Sequence, residues 1–343
     1  MSVEPGGDAR PFEIGIYSFV ENTADPTTGE RRSAERRIRE LMAEIRTADE
    51  VGLDVAAKSG GILAEAFGDR MLPSSLLERM LADDRRGRKN GRGFYLYEGG
   101  EKKGAGLDVY AIGEHHRDEY LASAPDVLLA AAAASTERIR LSSAVTVLSS
   151  DDPVRVFQRF ATLDLISGGR AEILAGRGSF VESFPLFGYD LRDYESLFEE
   201  KLELLLRLRE DVRVHWSGRH RAPIAGLEVH PRPLQDPLPV WVAVGGTPAS
   251  SVRAGRHGLP LALAILGGEP ARFAPLAQIW RRAASEAGHD ADALPMSLNL
   301  HGFVADDLET AVRQWTPAAA VLMDRIGRER GWPPYGEAQV RRD

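Results

Sequence analysis

The chain has 343 residues, 43% of them hydrophobic, and its formal net charge of −8 offers no overall basic field for nucleic acid or an anionic membrane. It contains no cysteine, which excludes disulfides, thiolate nucleophiles and metal centres ligated by cysteine. The longest apolar stretch, residues 127–135, is too short to span a bilayer, and the first residues lack a signal-peptide pattern, so we expect a cytoplasmic protein.

Strand-like and helix-like patterns alternate along the chain. Short apolar runs rich in β-formers predict strands at residues 12–19, 109–116, 138–148, 171–178, 239–246, 259–268 and 296–307. Amphipathic periodicity predicts helices at residues 36–52, 125–136, 153–167, 194–210 and 308–330. Near-continuous apolar strands alternating with helices indicate an α/β fold whose parallel sheet is buried on both faces.

Polar and glycine-rich groups follow several strands at their carboxyl ends, among them Glu-His-His, Gly-Arg-Gly-Ser and Gly-Gly-Thr. No GxGxxG motif follows the first strand, so the pattern favours a TIM (β/α)8-type barrel over a doubly wound dinucleotide-binding sheet. The predicted strands are one fewer than such a barrel needs to close. We therefore expect a barrel that lacks its eighth strand.

The tetrapeptide Gly-Leu-Asp-Val occurs twice, at residues 52–55 and 106–109, and the segment between the copies breaks the strand–helix alternation. That segment holds two short helical patterns, at residues 55–67 and 74–82, and then a basic, glycine-rich tail. We therefore predict an inserted helical segment, residues 56–108, between the first helix and the second barrel strand. Residues 1–55 and 109–343 would form the barrel.

The Glu-His-His sequence at residues 114–116 places ionisable groups at the end of a predicted strand. A histidine there can act as an acid or a base near neutral pH. Because side chains alternate along a strand, at most one of His115 and His116 should face the centre of a pocket. A histidine hydrogen-bonded in the core is an equally open interpretation. A metal site is disfavoured, since no other histidine or acid shows ligand spacing on this face.

A possible anion site begins with the fourth strand, in the sequence Ala-Gly-Arg-Gly-Ser-Phe at residues 175–180. Its glycines, including Gly178, allow close approach of the backbone, and Arg177 offers a planar guanidinium group that matches phosphate geometry. The alternative is a surface arginine in a glycine-rich turn.

A second possible anion site follows the fifth strand, which ends in Gly245 and Gly246. Thr247 can cap a helix whose first turn contains Pro248. The free N–H groups of that helix, together with the hydroxyls of Thr247, Ser250 and Ser251, can bind an anion. The alternative is an ordinary helix cap without a ligand.

Two resemblances account for these motifs and for the interruption. Residues 12–55 and 109–335 resemble the luciferase-like (bacterial luciferase) family of flavin-dependent monooxygenases across the strands given above. Residues 48–105 instead resemble the C-terminal helical region of 3-hydroxyacyl-CoA dehydrogenases of the fatty-acid oxidation complex, through "DEVGLDVAAK", "ILAEAFGDRM" and "GRKNGRGFYLYEGG". The monooxygenase family also carries "ADEVGLDV" directly before a strand like "YAIGEHH". The chain is therefore interpreted as a chimera joined where the two families share a sequence.

The luciferase-like resemblance implies roles for the candidate residues. It implies that His115 lies beside the flavin ring and serves in catalysis, and that Arg177, Thr247 and Ser250 contact the flavin phosphate. A backbone irregularity that supports the flavin ring is expected at Ala144 and Val145. The remaining candidates for cofactor binding are the glycines beside these contacts, Gly178, Gly245 and Gly246. No metal is implied.

The implied activity is a monooxygenase reaction in which reduced FMN, supplied by a separate flavin reductase, and O₂ oxidise a small organic substrate. The resemblance also implies a homodimer. One alternative keeps the fold and uses the deazaflavin F420 for hydride transfer, because both cofactors present a phosphate to the same loop. Another alternative is a non-catalytic flavin-binding protein or an inactive chimera. The dehydrogenase-like segment lacks that family's dinucleotide-binding glycines and catalytic His–Glu pair, so it should be chemically silent.

Overall fold

The computed structural model describes residues 13, 15–23, 28–50, 97–98, 101–102, 107–266, 270–303, 305 and 307–341. Its strands are β1 (Gly15–Ser18), β2 (Tyr97–Glu98), β3 (Glu101–Lys102), β4 (Val109–Ile112), β5 (Arg140–Ser143), β6 (Thr146–Val147), β7 (Ala171–Gly176), β8 (Arg213–Trp216), β9 (Ile224–Glu228), β10 (Val240–Val244), β11 (Leu261–Ile265) and β12 (Met296–Leu300). Its α-helices are α1 (Ala34–Glu50), α2 (Pro125–Ala133), α3 (Pro153–Ser167), α4 (Ser183–Leu186), α5 (Tyr194–Glu210), α6 (Pro248–Arg256), α7 (Ala274–Glu286), α8 (Leu308–Arg330) and α9 (Glu337–Val340).

One parallel sheet curls into a nearly closed barrel, in the order β1-β4-β5-β7-β10-β11-β12, with β6 also paired to β7. Every strand predicted from the sequence coincides with a strand of this barrel, and the α/β barrel prediction is confirmed. Within the described residues β1 and β12 form no ladder with each other. They are the two edges of the sheet, at the position where the eighth strand was predicted to be missing.

Two features of the described chain were not predicted from the sequence. β8 and β9 form an antiparallel hairpin outside the barrel, in which Val214 pairs with Leu227. Helix α7 follows β11 and buries Leu276, Trp280 and Ala284 against the core. Both complete the outer layer without changing the order of the barrel strands.

Side-chain alternation along the strands separates a large outer cluster from a small inner one. In β7, Ile173 and Ala175 belong to the outer cluster, which also holds large side chains of the surrounding helices such as Phe157 and Leu202. Leu174 points the other way and packs in the inner cluster with Ala111, Ala144 and Ala262. Because the inner cluster consists mostly of alanines, space remains within the barrel.

The helix predicted at residues 153–167 is α3, with the same bounds. The side chain of Asp152 accepts hydrogen bonds from the N–H groups of Val154 and Arg155, and Pro153 occupies the first turn. Gly168 ends the helix with a φ of 70°, a conformation that glycine adopts at little cost. Local capping chemistry thus fixes both ends of this helix.

The chain leaves and re-enters the barrel at one point. The N–H of Leu107 donates to the carbonyl oxygen of Ala48, near the end of α1, over 2.8 Å. Next to it, the carboxylate of Asp49 accepts from the backbone N–H groups of Glu137, Arg138 and Ile139. Burial opposes the charge of Asp49, but these backbone donors outweigh it and lower its pKa. The end of α1 and the start of β4, the described parts on either side of the interrupting segment, therefore meet at the amino-terminal side of the barrel.

Most of the predicted insertion lies outside the described residues. Of residues 56–108, the structure describes the short antiparallel pair β2–β3 and residues 107–108. The helices predicted at residues 55–67 and 74–82 lie outside the described residues, and the division of the chain at residues 56–108 remains a prediction.

Helix α8 bridges the two edges of the barrel at the carboxyl ends of the strands. Near its start, Trp315 contacts the rings of His301 and Phe303, which follow β12. Near its end, Arg325 forms ion pairs with Asp118 and Glu119, which follow β4, at 2.6 and 2.5 Å. Because β4 is the neighbour of β1, α8 spans the side of the barrel where β1 and β12 are unpaired.

No helix among the described residues is long and apolar enough to cross a membrane. The same residues contain no group of histidines and acids that could hold a metal ion.

Candidate active site

His115 lies just beyond β4, in a cage of aromatic rings. Its ring is 4.2 Å from that of Tyr120, 5.1 Å from that of Phe19 and 5.3 Å from that of Phe180, measured between centroids. Burial lowers the pKa of His115 from 6.5 to about 4, helped by the positive charges of its neighbours His116 and Arg117. The imidazole is therefore neutral at pH 7 and offers one hydrogen-bond donor and one acceptor.

His115 and His116 face different spaces, although both lie beyond the end of β4 at Ile112, so the predicted strand alternation is not the cause. His115 lines a cavity at the mouth of the barrel, whereas His116 lines a separate polar cavity beside α2 and α3. Glu114 pairs with His116 at 2.9 Å, and its other oxygen accepts the N–H of Val147 at 2.9 Å. The carboxylate thus fixes the second histidine and the end of β6, and it leaves His115 among aromatic rings.

The cavity beside His115 has mostly apolar walls. Phe19, Tyr120, Phe180 and Leu266 form its barrel side. Its outer wall comes from the C-terminal part of the chain, with Met323, Ile326 and Trp332. Helix α8 thus closes the mouth of the site on the side of the unpaired strands.

A second cavity occupies the inside of the barrel and shares Phe19, Leu266 and His301 with the first. Ala144 and Val145 line it, and the peptide bond between them is cis.

Two glycines make room for that bond and its neighbours. A Cβ on Gly113 would lie 2.8 Å from the carbonyl oxygen of Ala144, and a Cβ on Gly176 would lie 2.6 Å from a methyl group of Val145. Both distances are too short for a real Cβ contact, so the local path of the backbone depends on glycine at these positions.

Arg177, Thr247 and Ser250 come together at the start of α6. Nη2 of Arg177 donates to the hydroxyl oxygen of Ser250 at 3.0 Å and to that of Thr247 at 3.4 Å. Thr247 is the N-cap residue, as predicted, but its hydroxyl makes no capping hydrogen bond. The two motifs that separately suited an anion therefore form one site, with the N–H groups of the first turn of α6 beside them.

The glycines predicted with this site flank the three polar residues. Gly178 and Gly246 have φ values of 76° and 136°, in the region that favours glycine. A Cβ on Gly245 would meet no atom within 4 Å, so the surface beside the start of α6 is open there.

Two charged residues of this site were missed by sequence reasoning. Glu195, in the first turn of α5, pairs with Arg177 and with Arg253 of α6. Arg253 follows Ser250 by three residues, a spacing that puts both on one face of a helix, so it could have been found from the sequence. Nothing in the local sequence places Glu195 there, because the contact spans 58 residues.

Comparison with known proteins gives two family matches. A family model described as luciferase-like monooxygenase matches residues 103–341. The model of the 3-hydroxyacyl-CoA dehydrogenase C-terminal domain matches residues 37–97, so both resemblances seen in the sequence are confirmed. The dehydrogenase match begins within α1, eleven residues before the predicted start at residue 48.

The curated relatives likewise include both a monooxygenase and a subunit of a fatty acid oxidation complex. The chain is 30% identical to 4-hydroxyprotoasukamycin monooxygenase of Streptomyces nodosus subsp. asukaensis over 217 residues, 60% of this chain and 57% of that protein. It is 52% identical to the fatty acid oxidation complex subunit alpha of Shewanella halifaxensis over 66 residues, 19% of this chain and 9% of that protein. The chain spans about half the length of the luciferase-like curated relatives it matches, 47% to 58% of the first ones.

Solved structures share the fold. A monooxygenase from Streptomyces bottropensis superposes with a TM-score of 0.65 at 22% identity, covering 96% of this chain and 86% of that one. The oxygenating constituent of 3,6-diketocamphane monooxygenase from Pseudomonas putida, in complex with FMN, superposes with a TM-score of 0.62 at 17% identity, covering 93% and 76%. An F420-dependent secondary alcohol dehydrogenase in complex with an F420–acetone adduct gives a TM-score of 0.55 at 21% identity, covering 64% and 68%.

Proposed function

The chain belongs to the luciferase-like monooxygenase family, and we propose that it uses reduced FMN and O₂ to oxidise a small apolar organic compound. The observation that carries this proposal is the convergence of Arg177, Thr247 and Ser250 at the start of α6. A separate flavin reductase would supply the reduced cofactor, and the protein would act as a homodimer.

The phosphate of FMN fits the chemistry of the site. The Arg177 guanidinium group and the hydroxyls of Thr247 and Ser250 would bind it, together with the N–H groups at the start of α6. Gly245 and Gly246 leave the approach open, and Gly178, with its positive φ, lets the backbone turn beside Arg177. FMN carries a phosphate monoester, which has more negative charge than the phosphodiester of F420, and a second arginine close by favours the more highly charged group.

The flavin ring would lie in the barrel cavity against Ala144 and Val145, where the glycines described above keep side chains away. Reduced FMN, when bound, supplies the electrons that activate O₂. His115 would face the reacting part of the ring from the aromatic cage. Because its pKa is lowered to about 4, it would hold a neutral imidazole there that can donate or accept a hydrogen bond during turnover.

The substrate would occupy the apolar cavity between His115 and α8. Its walls are aromatic and aliphatic side chains, including Phe180, Ile326 and Trp332, and they offer little to a charged molecule. An apolar compound such as an aldehyde would suit this lining.

The test uses the purified full chain. Binding of FMN and of F420 is measured by fluorescence titration, and product formation from aldehydes is then measured with chemically reduced FMN in air. Free reduced flavin reacts with O₂ by itself, so the control omits the protein and the readout is oxidised substrate. We expect FMN binding and product. Binding of F420 in place of FMN would favour the hydride-transfer alternative, and bound FMN without product would favour the non-catalytic one.

A further inference from the structure

Two arginines of the anion site share one carboxylate. Nη1 of Arg177 contacts Oε1 of Glu195, and Nη2 of Arg253 lies 3.2 Å from Oε2 of the same side chain. Arg177 also donates to Ser250, so the carboxylate sits beside the hydroxyl that would bind phosphate. A phosphate group bound there would therefore need the same guanidinium donors that Glu195 occupies.

Burial distinguishes the arginines from the carboxylate. The side chains of Arg177 and Arg253 are 15% and 9% exposed, whereas that of Glu195 is 56% exposed. Each arginine also lies over an aromatic ring of α5, Arg177 over Tyr194 at 4.9 Å and Arg253 over Phe198 at 5.4 Å. The guanidinium groups are held in place, and the carboxylate can rotate into water and regain its hydration.

Arg253 also has unused hydrogen-bonding capacity. Its Nε and Nη1 atoms are buried, and within the part of the chain that the structure describes neither has a hydrogen-bond partner. Buried donors without an acceptor are rare and unfavourable in folded proteins. A group with more acceptor oxygens than a carboxylate would serve this arginine better.

We propose that Glu195 competes intramolecularly with the phosphate of the cofactor, and that Arg253 is a second phosphate-binding arginine, engaged when Glu195 leaves. The inference rests on the proposed function. A phosphate monoester has three strong acceptor oxygens and a charge of roughly −1.5 to −2 at pH 7, so it can bridge both arginines and the hydroxyls. A carboxylate has two oxygens and one charge.

This competition has a functional consequence. The apparent affinity for a ligand falls in proportion to the fraction of molecules whose site is ready to bind it. Glu195 would thus weaken FMN binding. By pairing again with the two arginines, it would also speed the release of oxidised FMN. Easy release suits an enzyme that exchanges its flavin with a separate reductase.

The experiment compares Glu195→Gln with Glu199→Gln, which removes the same charge one turn further along the exposed side of α5. Dissociation constants of FMN and riboflavin are measured by fluorescence quenching. Binding of inorganic phosphate is measured by the rise in melting temperature. We expect Glu195→Gln to tighten FMN and phosphate binding by about three- to tenfold and to leave riboflavin, which has no phosphate, unchanged. Glu199→Gln should change none of the three. Arg253→Gln should weaken FMN binding and spare riboflavin.

Weaker or unchanged binding of both FMN and phosphate by Glu195→Gln would overturn the inference, because Glu195 would then orient the arginines. An equal gain for riboflavin would overturn it too. If the wild-type chain binds no FMN but Glu195→Gln binds phosphate more tightly, the proposed function fails and the competition stands. If FMN binds through Arg177 and Glu195→Gln has no effect, the competition alone is wrong.

Discussion

Arg177→Ala should weaken FMN binding by one to two orders of magnitude. In the structure one nitrogen of Arg177 already reaches the hydroxyls of Ser250 and Thr247, at 3.0 and 3.4 Å, so the guanidinium group lies within reach of a phosphate bound there. Charge-assisted hydrogen bonds contribute roughly 1.5–3 kcal/mol each, and Arg177 can supply two. The N–H groups of α6 and Arg253 remain in the variant and offset part of the loss. A net loss of about 1.4–2.8 kcal/mol corresponds to a 10- to 100-fold weaker complex.

The assay is fluorescence titration of FMN and riboflavin at fixed ionic strength, with circular dichroism to verify folding. Arg192→Ala is the matched control, since it removes the same charge from an exposed side chain that pairs with Asp190. Arg192→Ala should leave FMN affinity unchanged, and riboflavin affinity should be the same in all three proteins. Equal FMN affinity in Arg177→Ala and Arg192→Ala, or an equal loss for riboflavin, would refute the assignment of Arg177 to the phosphate.

Four further outcomes are expected. Thr247→Ala should weaken FMN binding less than Arg177→Ala does, because backbone N–H groups at the start of α6 would still bind the phosphate. The same fluorescence titration measures the FMN dissociation constant of this variant. His115→Ala should leave the FMN dissociation constant nearly unchanged and slow product formation in single-turnover kinetics. Since burial lowers the pKa of His115 to about 4, the unfolded chain binds that proton first as the pH falls. The free energy of unfolding should therefore decrease between about pH 6.5 and 4, and urea titrations should find a smaller decrease in His115→Phe. Deleting residues 56–109 should raise the melting temperature and keep FMN binding, because Leu107, near the end of that segment, is hydrogen-bonded to Ala48 in α1. An unfolded product would contradict the interpretation of the repeated tetrapeptide as the boundary of an insertion.

The sequence shows which residues would replace one another at the deletion join. Removing 54 residues brings Gly-Leu-Asp-Val at residues 52–55 directly before Tyr110. Leu53 then takes the place of Leu107, whose N–H binds the carbonyl oxygen of Ala48 at 2.8 Å. Because the two copies have the same sequence, the join should preserve this hydrogen bond and the start of β4.

The sequence predicted the elements whose causes are local. Helix α3 has a capping aspartate, a proline in its first turn and a terminating glycine, and its bounds are those predicted. The inner barrel strands are largely buried, and β7 is buried along its whole length, so they read as apolar runs, whereas the edge strands β1 and β12 are partly exposed. Helix α7 could also have been predicted from the sequence, because its buried residues Leu276, Trp280 and Ala284 recur at helical spacing.

The rest depends on contacts between distant parts of the chain. β8 and β9 are short and partly exposed, so alternation over so few residues is a weak signal. The position of α8 follows from Arg325 meeting Asp118, 207 residues away. In the candidate site, the sequence was enough to select Arg177, Thr247 and Ser250 as anion-binding residue types. The contact of Glu195 with Arg177 became visible only in the folded structure. Local chemistry thus predicted the components of the site, and tertiary contacts decided how they are paired.

The most direct test of the central claim is a crystal structure of the chain soaked with FMN. The account predicts a phosphate oxygen within about 3 Å of the Arg177 guanidinium group and the Ser250 hydroxyl, the normal range for such hydrogen bonds. It also predicts the flavin ring against Ala144 and Val145, with its reacting edge toward His115. FMN bound with its phosphate away from the start of α6, or with its ring outside the barrel, would contradict the account.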